Sequence, residues 1–207
     1  MSEIYRLALQ EDAERLQYVT YEAYETIRQL GLRWPAAQAD VALIQENIKN
    51  NDCYVLEVDG VIQATVSHLK NRALNFITDL PFVMWFAVDP ATQGKGYGKK
   101  LLNWVEQTII RDQVGAPAVT LATAEKHPYL LSMYERWGYE RIHAFDHGTG
   151  DGTMHLLRKV VNPELFSTYI REKNEAEQLT TIRRDHPEQD EADSFAERGL
   201  ERMNFQL

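Results

Sequence analysis

Phe82-Val83-Met84-Trp85-Phe86-Ala87-Val88-Asp89-Pro90-Ala91-Thr92-Gln93-Gly94-Lys95-Gly96-Tyr97-Gly98-Lys99-Lys100 is the stretch on which the reading of this chain turns. Residues 82–88 form a nearly uninterrupted apolar run, which predicts an interior strand buried on both faces. Asp89-Pro90 ends it. Alternating glycines follow and lead straight into a helix whose Leu101, Val105 and Ile109 share one stripe. Strand, glycine loop and helix in this order make a device for holding a phosphate, because glycine lets the backbone come close and the unpaired amides of a helix start carry partial positive charge. Hydrogen bonds to a charged acceptor contribute about 1.5–3 kcal/mol each, so several amides with Lys95 or Lys99 reach the roughly 8 kcal/mol of micromolar pyrophosphate binding. A tight loop without a ligand is the plainer alternative. The dinucleotide fingerprint fits badly, since Gly94-x-Gly96-x-Gly98 lacks the further three-residue step, and no Gly-Lys-Ser or Gly-Lys-Thr supports a P-loop.

Upstream, residues 4–9 read as a short strand. Asp12 then offers a cap to a helix carrying Leu16, Val19, Ala23, Ile27 and Leu30 at three- and four-residue spacing, with Gly31 to end it. The loop Leu32-Arg33-Trp34-Pro35 leads to a second amphipathic stretch with Val41, Ile44 and Ile48 on one face. Residues 53–58 and 61–69 are apolar and β-branched, and Asp59-Gly60 between them is the pair a two-residue type I′ hairpin prefers. Downstream, 118–122 predicts a strand and 127–137 a helix closed by Gly138. Two strands follow over 139–145 and 153–159, around a turn of His147, Gly148, Gly150 and Gly152. Beyond residue 160 the strand pattern stops. Asn162-Pro163 and Asp185-His186-Pro187-Glu188 each start a helix, one striped with Leu165, Phe166, Tyr169 and Ile170, the other with Ala192, Phe195, Ala196, Leu200 and Met203. The chain therefore reads as a domain over 1–160 and a helical C-terminal extension over 161–207, whose stripes dock on their own chain or on a second copy in a homodimer.

Of the 207 residues, 44% are hydrophobic and 26% charged, as in soluble globular proteins. Acidic residues outnumber basic ones 31 to 22, a net charge of −9 that argues against nucleic acid as the main partner. The single Cys53 allows no internal disulfide and no Cys/His cluster has metal-ligand spacing, so the expectation is a protein of the cytoplasm without a bound metal. No apolar run approaches the roughly 20 residues that span a bilayer, which disfavours a membrane protein.

Gln93, Gly96 and Gly98 after the strand give Gln-x-x-Gly-x-Gly, and Tyr134-Glu135-Arg136-Trp137-Gly138-Tyr139 follows in order at matching spacing. In these segments the chain resembles the GNAT superfamily of acyl-CoA-dependent N-acetyltransferases, over about residues 3 to 160. The resemblance implies an α+β fold with a mixed, splayed sheet of seven strands flanked by helices, and acetyl-CoA as co-substrate. It implies that the main chain of Phe86 and Val88 binds the pantetheine arm like an added strand. It implies too that Gln93 opens the loop and that the amides of Gly94, Lys95, Gly96, Tyr97, Gly98 and Lys99 hold the pyrophosphate. A β-carbon at Gly96 or Gly98 is expected to fill space a phosphate oxygen needs. Lys100 reads as a solvated helix residue. Tyr134 matches the family's general acid, a phenol that protonates the departing thiolate; without the motif it reads as a core aromatic beside Leu130, Met133 and Trp137. The Trp34 loop resembles the segment that borders the acceptor pocket.

Two positions depart from the family. His127 stands where an asparagine often contacts the pantetheine, and either donates one hydrogen bond or caps the helix. The glutamate base that some relatives carry on the strand before the glycine loop has an apolar counterpart near Phe82. Asp79, His68 and Glu125 are the substitutes, Asp79 the first choice. The implied reaction is direct attack of an amine, from a small molecule or from a peptide or protein, on the thioester. The alternative is a CoA-binding sensor or assembly module without transfer activity. The acceptor itself is not readable from the residues.

Overall fold

The computed structural model describes residues 2–71, 74–146, 148 and 150–185. The chain divides into two compact units, Met1–Pro163 and Glu164–Leu207. The first runs β1 (Glu3–Leu7), α1 (Ala13–Ala23), α2 (Glu25–Gln29), α3 (Val41–Asn50), β2 (Asp52–Val58), β3 (Val61–His68), β4 (Val83–Val88), α4 (Tyr97–Trp104), β5 (Ala118–Ala124), α5 (Leu130–Arg136), β6 (Glu140–Phe145) and β7 (Met154–Val160). Its strands form two antiparallel sheets, ordered β1-β2-β3-β4 and β5-β7-β6. They meet at a parallel bridge between Phe82 and Thr120, where the Thr120 amide donates to Pro81 O at 2.8 Å and its hydroxyl to the same oxygen at 2.9 Å. The splay expected of one sheet is thus two sheets pinned at their edges. The free edges of β4 and β5 carry backbone groups that a ligand can pair.

Packing explains the arrangement. Leu56 and Val66 of the first sheet and Val119 and Leu157 of the second bury against Leu101, Leu102, Val105 and Ile110, and each such side chain contributes about 1.5–3 kcal/mol of hydrophobic free energy. Leu16 and Ile44 cover Val55 and Ile62 on the opposite face. The β2–β3 hairpin turns at Asp59 and Gly60, with φ of 50° and 81°, the positive values a type I′ turn requires.

The structure corrects four expectations. The helix read through to Leu30 breaks at Tyr24 (φ −93°, ψ 14°) into α1 and α2, which turns the Tyr24 ring inward to 8% exposure. β4 is not buried on both faces: Met84, Trp85, Phe86 and Val88 are half-buried, since their open side lines a groove. Within β4, Trp85 takes φ +54°; Met84 pairs with Ser67 and Ala87 with Thr65, so Trp85 and Phe86 together oppose Val66 in a bulge. After α4 the chain widens into a π-helix over Val105–Gln113, which brings Val105, Glu106, Ile109 and Ile110 all inside. The helix expected from residue 127 begins at Leu130, because the residue before a proline, here His127 before Pro128, is disfavoured in helical geometry.

In the second unit α6 (Pro163–Asp185) is one helix of 23 residues, on which Phe166 stacks on Tyr169 at 5.9 Å. The helix expected from 185–188 lies outside the described residues apart from its first position, as do His147 in the β6–β7 turn and the stripe beyond residue 190.

Candidate active site

A groove of about 790 Å³ opens between the two sheets. At one end the chain leaves β4 through Asp89, a buried carboxylate that accepts from Ala91 N at 2.9 Å and pairs with Arg15. This fixes the direction of the loop. Gly94 and Gly96 then adopt φ of 82° and 81°, and Gly96 is the residue from which α4 springs. Only glycine enters that left-handed region without strain. The first amides of an α-helix have no carbonyl of their own helix to bond, and α4 begins at this loop. Thr92, Gln93, Gly94, Gly96 and Lys99 form the groove wall here. The Lys95 amide differs from the expectation: it donates to Thr92 O at 3.2 Å within the loop, and Lys95 is not among the lining residues.

Gly98 is a glycine for a reason other than the expected one. A β-carbon there would lie 2.6 Å from Val88 Cγ2 and 2.9 Å from Phe86 Cζ, whereas one at Gly96 would meet nothing within 4 Å. Gly98 therefore lets α4 sit directly on β4, whereas the space beside Gly96 is open. Lys100 faces away, paired with Glu3 at 2.5 Å.

In the middle of the groove, Phe86 of β4 meets Trp137 edge-on at 6.1 Å, and Tyr134 packs edge-on against both Trp137 (6.0 Å) and Tyr139 (5.6 Å). Tyr139 is anchored in turn by donating its hydroxyl to Glu106 at 2.7 Å, a carboxylate that also binds Lys159. Tyr134 is 7% exposed, and burial pushes its phenol well above the ordinary 10, so it carries its proton at neutral pH. His127, 4% exposed, has its imidazole pushed below the ordinary 6.5 by burial; its Nδ1 is buried and has no hydrogen-bond partner. Thr123 Oγ1 on β5 is likewise buried and unpartnered.

The other end is side-chain surface: Ala23, Tyr24 and Ile27 from the α1–α2 break, Trp34 and Ala36 from the following loop, and Met154 from β7. Tyr24 meets the Trp34 ring edge-on at 6.3 Å. Burial raises its phenol too, with a smaller contribution from Tyr134. The Trp34 loop is held from both sides. Arg28 donates to Ala37 O at 3.0 Å while its guanidinium lies 3.7 Å from the Tyr21 ring, and Arg33 N donates to Asp151 at 2.8 Å.

Of the residues singled out from the sequence, Phe86, Val88, Gln93, Gly94, Gly96, Tyr97, Gly98, Lys99, His127, Tyr134 and Trp34 all line this one groove. Asp79 does not; it is exposed in the segment before β4. Tyr24, Thr123 and Trp85 are wall residues that the sequence reading passed over. Their signals are weak, since Tyr24 sits off the apolar stripe of its helix and Thr123 continues an ordinary strand pattern. Among the described residues no group of three or more His, Cys, Asp or Glu is placed to hold a metal ion, and no helix is long and apolar enough to cross a membrane.

The left-handed cradle at Gly96, the free edge of β4 and two orphaned polar atoms on the β5 side fit an elongated molecule with a diphosphate at one end and amide groups along its arm, as coenzyme A has. Comparison with known proteins agrees. The model of the acetyltransferase (GNAT) family matches residues 6–139. An S-(2-succino)cysteine N-acetyltransferase of Bacillus subtilis is 47% identical over 75% of this chain and 95% of its own length, and an S-alkylcysteine N-acetyltransferase of the same organism is 41% identical over 80% and 93%. The fold is shared with the PaiA N-acetyltransferase of Thermoplasma acidophilum, solved in complex with coenzyme A, at a TM-score of 0.58 and 17% identity, covering 77% of this chain and 99% of that one. With the family model spanning the glycine loop and the tyrosine helix alike, the chain belongs to the GNAT acetyltransferase family and is an acetyl-CoA-dependent N-acetyltransferase.

Proposed function

We propose that the protein acetylates the α-amino nitrogen of an S-substituted cysteine, with Tyr134 as the general acid. The observation that carries this reading is the continuity of the groove. It runs from the glycine loop past Tyr134 to a pocket walled by Ala23, Ile27, Ala36 and Met154, apolar surface suited to a substituent on sulfur. The two curated relatives act on S-(2-succino)cysteine and S-alkylcysteine, small molecules of that class.

The chemistry follows from the residues. The amides at the start of α4 take the diphosphate, with Lys99 adding positive charge. The edge of β4 at Phe86 and Val88 pairs the pantetheine amides as an extra strand would, and His127 and Thr123 offer polar atoms from the facing side. When bound, acetyl-CoA supplies an activated acyl group as its thioester. The acceptor nitrogen forms the N–C bond as the C–S bond breaks, and Tyr134 gives its proton to the sulfur. Burial keeps that phenol protonated, and a positioned acid contributes typically 10²- to 10⁴-fold. The nitrogen must arrive neutral. An α-amine titrates below a lysine side chain, with reference values near 8 and 10.4, so a larger share of it is already the nucleophile at pH 7. The proton it sheds leaves through the open groove to water, and Tyr134 takes back a proton from the same water.

The test is release of free thiol from acetyl-CoA with S-benzylcysteine, S-(2-succino)cysteine, a lysine-containing peptide and spermidine as acceptors, each product identified by mass. Turnover confined to the cysteine conjugates is expected. Turnover of the peptide or polyamine with both conjugates silent overturns the substrate class.

A further inference from the structure

Trp34 carries a polar atom that the fold leaves without a partner. Its Nε1 is buried and makes no hydrogen bond, although the ring lines the groove. Buried side-chain donors in native proteins are paired in the large majority, so an unpaired one on a ligand-facing wall points to a bond made by the ligand. Thr123 Oγ1 and His127 Nδ1, the other orphaned atoms of the wall, belong to the β5 side; Trp34 alone belongs to the loop that closes the opposite end. The indole is also held in place. The Tyr24 ring stands edge-on to it at 6.3 Å, and Ala37 N donates to Trp34 O at 2.9 Å. Arg28 secures the same turn by donating to Ala37 O at 3.0 Å. The turn that carries the indole is therefore held, and its ring packed on Tyr24, before any acceptor arrives.

We propose that the Trp34 indole N–H donates to a carboxylate oxygen of the acceptor, so that Trp34 selects amino acids over the corresponding amines that lack the carboxylate. This rests on the cysteine-conjugate reading above and deepens it. An indole N–H can only donate, which removes most of what the substrate offers. The amine nitrogen needs its lone pair for the thioester. A thioether sulfur is a weak acceptor. The α-carboxylate is the strong one, and a hydrogen bond to it is charge-assisted. Tyr24 beside the indole keeps its proton because of burial and supplies a second neutral donor at the same end. A site built to satisfy an oxygen rejects the analogue lacking it, because its own donor is then left buried and unpaired.

The experiment pairs S-benzylcysteine with 2-(benzylthio)ethanamine, which differ only in the carboxylate, and measures kcat/KM for each with the full-length protein and its Trp34→Phe variant. The wild-type protein is expected to favour the acid by roughly 10- to 100-fold, the range of one charge-assisted hydrogen bond. Trp34→Phe keeps the aromatic edge contact and is expected to lose most of that preference, kcat/KM falling much further for the acid than for the amine. The ratio of the two preferences cancels any difference in amine basicity. Wild-type protein that treats acid and amine alike overturns the assignment whether or not the variant folds. A variant that keeps the preference, or loses activity equally toward both acceptors, overturns it as well. Silence of the wild-type protein toward both acceptors overturns the cysteine-conjugate reading and takes this assignment with it, whereas turnover without discrimination leaves that reading standing and removes only the role of Trp34.

Discussion

At the glycine-loop end the groove presents backbone, whereas at the Trp34 end it presents side chains. The first end is made of amides at the start of α4, a left-handed Gly96 and the edge of β4; the second is made of Tyr24, Ile27, Trp34, Ala36 and Met154. Backbone offers the same groups whatever residue carries them, so the substitutions that matter most there are those at glycine, where a side chain would clash or would strain a positive φ. Side chains offer different groups with every substitution. A scaffold built this way keeps one acyl carrier while its acceptor end changes. Tyr134 stands in the groove between the two ends, packed on Trp137, which in turn meets Phe86.

The largest effect is therefore expected at that junction. Tyr134→Phe keeps both edge contacts and removes the proton, so kcat should fall by about 10²- to 10⁴-fold while acetyl-CoA affinity, measured by calorimetry, stays within a few-fold of wild type. Affinity falling together with kcat would mean the phenol is structural and that the ends are not separable as described.

Gly98 and Gly96 divide the backbone end into packing and binding. Gly98→Ala drives a methyl group into Val88 and Phe86, and overpacking of this kind destabilises by about 1–3 kcal/mol. The melting temperature should drop by several degrees, with acetyl-CoA binding weakened as β4 moves. Gly96→Ala meets no neighbour but must hold φ at +81°, a strain of about 1–2 kcal/mol. Its effect should be smaller in melting temperature and concentrated in acetyl-CoA affinity. Equal losses of both properties in the two variants would erase the distinction.

These two glycines also show how far the sequence could be read. Both were legible as glycines the loop requires, but a phosphate and a neighbouring strand make the same demand on residue type, and only the 2.6 Å approach to Val88 tells Gly98 from Gly96. The hairpin at Asp59-Gly60, the strand before the loop and the helix after it rest on local rules of turn conformation and periodicity, and the chain obeys them. The bulge at Trp85, the break at Tyr24 and the π-helix from Val105 are set by what packs across from them, which no local pattern encodes. The backbone end of the site was legible for the same reason it is tolerant: it constrains few residues, and all of them to glycine. At the acceptor end Trp34 was visible only through family likeness. Tyr24 was not visible at all, since no residue type is obligatory there.

The smallest effect concerns the wall between the ends, and its sign can be worked out. Burial holds the His127 imidazole below the 6.5 of an exposed histidine, so between its folded value and 6.5 the unfolded chain binds more protons than the folded one. Stability is then full above about 6.5 and is lost as pH falls toward the folded value, with a slope of at most about 1.4 kcal/mol per pH unit for one group. His68, shifted the same way chiefly by burial, adds its own share, whereas Asp12, held low by its bonds from Arg6, acts only in stronger acid. Urea unfolding between pH 7 and 5 should accordingly show a decline in the wild-type protein. Its slope should be reduced, but not abolished, by His127→Asn. The amide of that variant still offers a hydrogen bond and does not titrate, so acetyl-CoA affinity at pH 7 should be preserved. An unchanged slope would mean that His127 is charged or solvated in the folded protein. A reduced slope with lost affinity would mean that the imidazole gives the backbone end of the groove something an amide cannot, and that this end depends on side-chain identity after all.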